Sequence, residues 1–241
     1  MKQLKFNEIT ALISGGNKGI GLALSQKLVE SGTKVISLGR SEYKHDSTNT
    51  TNFENNYFHY RCDISNTNEL TKVLLEIKEM HGNINLLVNN AGTSDFSTFA
   101  TSDISLGIKM IETNLSAAIA LTHSVLPAML SGQAGVIVNM SSIAAIENFA
   151  DCSVYNASKA GLLSFSRSLR KEVRKSGVKI IDVLPGATLT DIWDEDFKNT
   201  FKDKMMHPED IAEAVFECIR MSLNPRLMIE EIILTPQGGS L

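Results

Sequence analysis

Tyr155 and Lys159 stand four positions apart in Tyr155-Asn-Ala-Ser-Lys159, which puts both on one face of a predicted helix. A phenol with a pKa near ~10 exchanges protons poorly at neutral pH. An adjacent ammonium favours the tyrosinate, and bringing the value to ~7 takes roughly 4 kcal/mol at about 1.36 per unit, within reach of a close, desolvated cation. Tyr-x3-Lys is a short motif, so its weight depends on its neighbours. Ser141-Ser142, Asn89-Asn90-Ala91-Gly92 and Pro185-Gly186 each end a predicted strand. In open parallel sheets ligands bind beyond the carboxyl ends of the strands, so these signatures converge on one sheet edge. Each alone is an ordinary turn; together they favour an active site.

A second chemical signature lies near the start. The first apolar run leads into Ser14-Gly15-Gly16-Asn17-Lys18-Gly19-Ile20-Gly21 and then a helical segment. Glycines let backbone approach a pyrophosphate, whose charge a helix N-terminus stabilises. The Gly-x3-Gly-x-Gly spacing departs from the Gly-x-Gly-x-x-Gly dinucleotide fingerprint, but its place between first strand and first helix supports a phosphate cradle. The second strand ends in Leu38-Gly39-Arg40-Ser41, with no acid at the tip to accept from a ribose 2′-hydroxyl. Lys18 and Arg40 are instead suited to a 2′-phosphate, which points to NADP(H) over NAD(H); the plainer reading is two solvated charges near Glu42.

Elements able to hold these groups follow from periodicity. Strands are predicted at Ile9–Ser14, Lys34–Leu38, Tyr57–Cys62, Asn85–Asn89, Gly135–Ser141, Lys179–Leu184 and Ile229–Leu234, mostly apolar throughout, as parallel strands covered on both faces are. Helices are predicted at 19–31, 66–81, 102–130, 153–176 and 208–222. The alternation gives an α/β fold with a doubly wound, parallel, seven-stranded sheet and helices on both faces. Asp63 and Ser65 stand where caps of the second helix belong, Gly32 and Gly177 where left-handed helix ends do. Pro208 opens the last helix, Pro127 should end or kink the long one, and Ser41–Asn56 reads as a polar loop.

Composition narrows the class. The 241 residues are 43% hydrophobic and 21% charged, with a formal charge of −4, which suits one globular domain and leaves no basic footprint for nucleic acid or anionic membrane. No signal-peptide pattern follows the N-terminal Met1-Lys-Gln-Leu-Lys, and no uninterrupted apolar run reaches 18 residues, so a cytoplasmic location without a membrane span is expected. Three distant cysteines read as reduced thiols, and five scattered histidines give no metal-ligand spacing.

Taken in order, Ser14-Gly-Gly-Asn-Lys-Gly-Ile-Gly21, Asp63, Asn89-Asn-Ala-Gly92, Asn114, Ser142, Tyr155-x3-Lys159 and Pro185-Gly-x3-Thr190 resemble the classical short-chain dehydrogenase/reductase family over essentially the whole chain. Ser14 stands where the family often has Thr, and Ala144-Ala145 occupies a stretch that commonly holds a glycine. The resemblance implies a single-domain Rossmann fold over residues 1–241, a nicotinamide cofactor and a carbonyl or alcohol substrate. It implies that Tyr155 protonates the carbonyl oxygen, that Ser142 hydrogen-bonds it, and that Lys159 lowers the Tyr155 pKa and holds the nicotinamide ribose. Asn114 would hold a water linking Lys159 to solvent. Around the cofactor it places Gly15, Asn17, Lys18, Gly19, Ile20, Gly21, Arg40, Asp63, Asn90, Ala91, Gly92, Pro185, Gly186, Thr188 and Thr190. Asp63 faces the adenine, and Thr188 and Thr190 the carboxamide. No metal is implied, and a homodimer or homotetramer is.

The segment 191–207 resembles the family's substrate lid. Its Trp193, Phe197, Phe201, Met205 and Met206 either cover an apolar substrate or anchor the lid, and Ile143, Ala144, Phe149 and Trp193 are expected in the pocket wall. The leading expectation is an NADPH-dependent reductase of a ketone or aldehyde, with a 3-oxoacyl thioester included although no basic cluster marks its carrier. Alternatives are an NAD-dependent alcohol or hydroxysteroid-type dehydrogenase and a nucleotide-sensing protein without turnover. A sugar-nucleotide epimerase needs more chain after Thr190 than is present.

Overall fold

The computed structural model describes residues 4–43 and 51–239. Seven strands, β1 (Thr10–Ser14), β2 (Lys34–Gly39), β3 (Tyr57–Arg61), β4 (Leu86–Asn89), β5 (Gly135–Met140), β6 (Val178–Pro185) and β7 (Glu231–Leu234), form one all-parallel sheet in the order β3-β2-β1-β4-β5-β6-β7. The order reverses between β1 and β4, whose carboxyl ends carry the Gly-rich loop and Asn90-Ala91-Gly92.

Alternation along each strand feeds two cores. Ala11, Ile13, Leu86, Val88, Val136 and Val138 pack against α1 (Gly19–Glu30), α2 (Thr51–Asn56) and, further along the chain, α8 (Pro208–Ser222). The intervening Leu12, Ile36, Leu87 and Ile137 pack against α3 (Thr67–His81), α5 (Ala117–Gly132) and α6 (Ser153–Val173). Two helices complete the set: α4 (Ile104–Ile111), which leads into α5, and α7 (Glu195–Phe201), inside the expected lid.

All seven strands and the five expected helices are present, with several local corrections. Residues 51–56 form α2 rather than a loop, and 44–50 lie outside the described residues. α3 is capped by Asn66, whose side chain accepts from the amides of Asn68 and Glu69, not by Asp63 or Ser65. Asp63 instead closes a local turn by accepting from the Ser65 amide and hydroxyl. Pro127 does not end its helix, which continues to Gly132. Pro127 and His123 are both exposed, so water can satisfy the carbonyl that proline leaves without a donor. Gly32 and Gly177 do adopt positive φ, 90° and 85°.

One layer beneath the sheet's carboxyl edge the apolar pattern gives way to a polar ladder. Asn89, Asn139 and Asp182 lie in register on β4, β5 and β6. Asn89 donates to Thr122 Oγ1 and Asn139 Oδ1, and Asn139 donates to Ser166 Oγ at 2.6 Å. Arg170 of α6 is ion-paired to Asp182, both almost wholly buried. The ladder ties α5 and α6 to the strand ends, fixing the height at which the site residues emerge.

Candidate active site

At the nucleotide end, the Gly-rich loop is held from three sides. Ser25 and Tyr57 hydroxyls both donate to Gly16 O, at 3.2 and 3.0 Å, and Asn17 donates to Ser41 O and Oγ at 2.9 and 3.0 Å. From β4, the Asn90 amide side chain donates to Ser14 O and Gly15 O. Gly15 has φ +68°, and a Cβ there would meet Asn90 Nδ2 at 2.9 Å; one on Gly21 would overlap Gly15 O. α1 begins at Lys18 with no side-chain cap, whereas α3, α4 and α7 are each capped by Asn or Asp. Uncapped N–H groups at the positive end of a helix dipole, beneath a backbone cradle without side chains, fit a pyrophosphate.

Arg40 emerges exposed at the end of β2 and has no ion-pair partner among the described residues. Lys18, expected beside it, pairs with Asp191 at 3.3 Å, because the loop faces the start of the lid. The second cation at Arg40 is Arg61, whose Nε donates to Arg40 O at 3.1 Å while Glu42 sits 3.9 Å from its guanidinium. Burial pushes the Asp63 carboxyl up. Its bonds from Ser65 and the charges of Lys109 and Arg40 outweigh that and hold it below the usual value.

The chemical end is assembled from α6, the turn after β5 and the turn after β6. Tyr155 and Lys159 occupy the first two turns of α6 on its buried face. Lys159 Nζ donates to Met140 O at 2.8 Å and lies 5.8 Å from the Tyr155 ring centroid. Ser142 Oγ accepts from the Ala144 amide at 3.1 Å and faces Pro185 O at 3.4 Å. The expected lowering of the Tyr155 pKa by Lys159 is not what this arrangement gives. Burial pushes Tyr155 up to about 12, against a smaller downward pull from the Ser142 hydroxyl, and pushes Lys159 down to about 8. The ammonium is committed to the Met140 carbonyl, so desolvation governs both groups.

Asn114 sits in a π-turn, Glu112–Ser116, between α4 and α5. Such a turn re-aims a side chain within an otherwise continuous helix. Its amide donates to Thr93 O and Ser158 Oγ, and its oxygen accepts from the Thr93 amide at 2.9 Å. Both amide hydrogens are thereby spent, and one acceptor lone pair is left.

Of the expected catalytic, cofactor-binding and pocket-wall residues, all but Gly21 and Asn114 line a single cleft of about 1250 Å³ along the sheet edge. Gly21 lies beneath the loop, and Asn114 behind Gly92. The expected wall residues Ile143, Ala144, Phe149 and Trp193 are all present in it. Sequence reasoning missed Tyr57, Ser94 and Phe96, none of which carries a local signal that sets it apart from its neighbours. Among the described residues no cluster of potential metal ligands occurs, and all three cysteines are free.

The sequence pattern of the family described as short chain dehydrogenase spans residues 9–200. The chain belongs to that family. An uncharacterised oxidoreductase of Staphylococcus saprophyticus is 28% identical over 237 residues, covering 97% of this chain and 99% of its own. Among solved structures, serine dehydrogenase from Escherichia coli superposes with a TM-score of 0.83 at 26% identity, covering 97% and 100% of the two chains. A metagenomic short-chain oxidoreductase in complex with NADP gives 0.80 at 26%, covering 98% and 100%. As a short-chain dehydrogenase, this protein is an oxidoreductase that uses a nicotinamide nucleotide and acts on a small molecule.

Proposed function

We propose that this short-chain dehydrogenase reduces a ketone or aldehyde with NADPH. The observation that carries this reading is the geometry at the cleft floor, where the Tyr155 phenol is buried beside the Ser142 hydroxyl and kept protonated by that burial. A phenol in that state is a resting acid, placed to donate its proton to a carbonyl oxygen that Ser142 Oγ also binds. A bound nicotinamide supplies the hydride. Lys159, whose Nζ donates to Met140 O beside Tyr155, would hold the nicotinamide ribose. Asn114 has only an acceptor to offer, so a water between it and Lys159 would donate to Oδ1 and accept from Nζ. The preference for NADPH rests on Arg40, which has no ion-pair partner among the described residues at the tip of β2, where an NAD site carries an acid, and has Arg61 beside it. The structural neighbour bound to NADP supports the same reading.

Tyr155→Phe removes one oxygen and is expected to cut reductive turnover by roughly two to four powers of ten while leaving NADPH binding unchanged. Steady-state NADPH oxidation with an aldehyde and ketone panel measures it; undiminished turnover removes Tyr155 from the chemistry, and a preference for NADH removes the Arg40 argument.

The protein is further proposed to be a homodimer or homotetramer in solution. The run Ile104–Gly132 is long and apolar enough by length and composition to cross a membrane, yet it packs on α6 within the fold. Its outer side leaves Ile104 and Ile108 60% and 54% exposed, next to Phe99 at 58%. A second copy covering this face accounts for the exposure, and light scattering should return a multiple of the chain mass.

A further inference from the structure

Beyond Tyr155 the cleft wall is a run of aromatic rings. Phe96 meets the Tyr155 ring edge-on, with centroids 5.8 Å apart and planes at 75°. It stacks on Trp193 at 4.9 Å, Trp193 stacks on Phe197 at 4.5 Å, and Phe197 touches Phe201 at 4.6 Å. The indole is pinned by a hydrogen bond from Nε1 to Thr188 O at 3.0 Å, and Ser94 Oγ donates to Ile192 O at 2.9 Å, joining the Phe96 loop to the lid. Other residues share in anchoring the lid. Met205 is 7% exposed and Met206 packs on the core beside α8, whereas Phe96 keeps 37% of its surface open.

Charge is arranged to match. Among the described residues lining this end of the cleft, the only basic side chain is Lys159, committed to Met140 O. Lys18 and Arg40 belong to the nucleotide end. The nearby carboxylates are occupied, Asp194 as the cap of α7 and Asp191 with Lys18. An anionic substrate would shed its hydration here without a counter-ion. A planar apolar group would gain a stacking contact beyond its burial.

We propose that the carbonyl substrate is uncharged and carries an aryl or similarly planar apolar group, which stacks on the Phe96–Trp193 wall while its carbonyl lies at Ser142 and Tyr155. This rests on the reductase reading above and excludes carboxylates, phosphates and thioesters of charged carriers as preferred substrates.

Trp193 is the single tryptophan of the chain, so its fluorescence reports on this wall independently of turnover. The probes are benzaldehyde, 4-carboxybenzaldehyde, a short aliphatic aldehyde and serine, each tested for quenching of the NADP+-loaded protein and for turnover with the appropriate form of the cofactor. Benzaldehyde should quench Trp193 and exceed its carboxylate analogue at least tenfold in kcat/KM. Phe96→Ala should raise the benzaldehyde KM about fivefold to tenfold, with kcat within about twofold. Phe96→Leu keeps apolar bulk without the ring and should move KM in the same direction. Equal or better turnover of 4-carboxybenzaldehyde or serine overturns the proposal, as does an unchanged KM in Phe96→Ala. Reduction of the aliphatic aldehyde with no quenching or competition by benzaldehyde keeps the reductase and removes the aryl pocket. Selective quenching by benzaldehyde, with no carbonyl reduced by either nucleotide, removes the reductase and keeps the pocket.

Discussion

The nucleotide end of the cleft is built from backbone: a loop whose Gly15 and Gly21 leave no room for a Cβ, lashed to neighbouring strands by Asn17, Asn90, Tyr57 and Ser25. The substrate end is built from side chains, rings carried on the loops after β4 and β5 and on the lid, with Phe96 and Phe149 still 37% and 36% exposed. Backbone cradles recognise a group common to every nicotinamide nucleotide, so their geometry tolerates little change. A wall of rings recognises surface rather than atoms, so it can be altered one side chain at a time with graded effects on KM. Between the two stands Lys159, which faces both.

The largest effect should come from breaking the device at that junction. Lys159→Met is expected to lower turnover by about two to three powers of ten and at the same time to stabilise the fold. Burial holds the folded pKa at about 8, below the 10.5 of the free side chain. Between those values the unfolded chain binds the extra proton, so stability of the parent protein should climb as pH rises through that window. Below about 8 the charged form is buried at a cost on the order of 3 kcal/mol, at about 1.36 per unit. The variant should therefore gain about 1–3 kcal/mol at pH 7, less than the full cost because the bond to Met140 O is lost, and should lose the part of the rise across that window that Lys159 supplies. Urea melts at several pH values read both. In the parent, reductive kcat should fall as Lys159 loses its charge with pH rising through about 8; a profile flat from 7 to 9 would show that turnover does not depend on that charge.

A smaller effect tests the backbone cradle. A methyl on Gly21 would overlap Gly15 O and crowd Asn90 Nδ2, so the loop must shift. Overpacking of this kind costs about 1–3 kcal/mol, which corresponds to roughly tenfold to a hundredfold in NADPH affinity if the strain falls on the bound geometry. Fluorescence titration of NADPH against Gly21→Ala measures it. A change in the carbonyl KM alone would contradict the division of labour between the two ends.

That division also decides what could be read from the chain. The strands and long helices were legible because short, mostly apolar runs mark β1 to β7 and 3.6-residue periodicity runs through α1, α3, α5, α6 and α8. The nucleotide end was legible because a glycine cradle demands particular residues at particular spacings. Short α2 and α7 have too few turns to show a period. The π-turn at Asn114 leaves the hydrophobic pattern of its helix intact, and so passed as ordinary helix. Pro127 misled because its exposed position removes the usual penalty. Phe96 had no local signal at all: its meaning comes from Trp193, nearly a hundred positions away, which only the folded chain brings to 4.9 Å. The pairing of Lys18 with Asp191 had no signal in the sequence, since their closeness is a tertiary fact.

That Lys18–Asp191 pair is the one ionic contact joining the two ends among the described residues, and both side chains are more than 60% exposed, at 63% and 69%. Exposed pairs contribute about 0–1 kcal/mol, so Asp191→Asn should leave the urea midpoint of the fold almost unmoved. Its informative effect is on ligands. Freed from its carboxylate, Lys18 adds an uncompensated positive charge beside the phosphate cradle, and NADPH should bind about twofold to threefold more tightly at low salt. Raising the ionic strength toward 1 M, where the screening length shrinks to about 3 Å, should erase that gain. The carbonyl KM should stay constant. If instead NADPH affinity holds and the carbonyl KM rises, the contact serves to seat the lid, and Lys18 belongs with the rings rather than with the cradle.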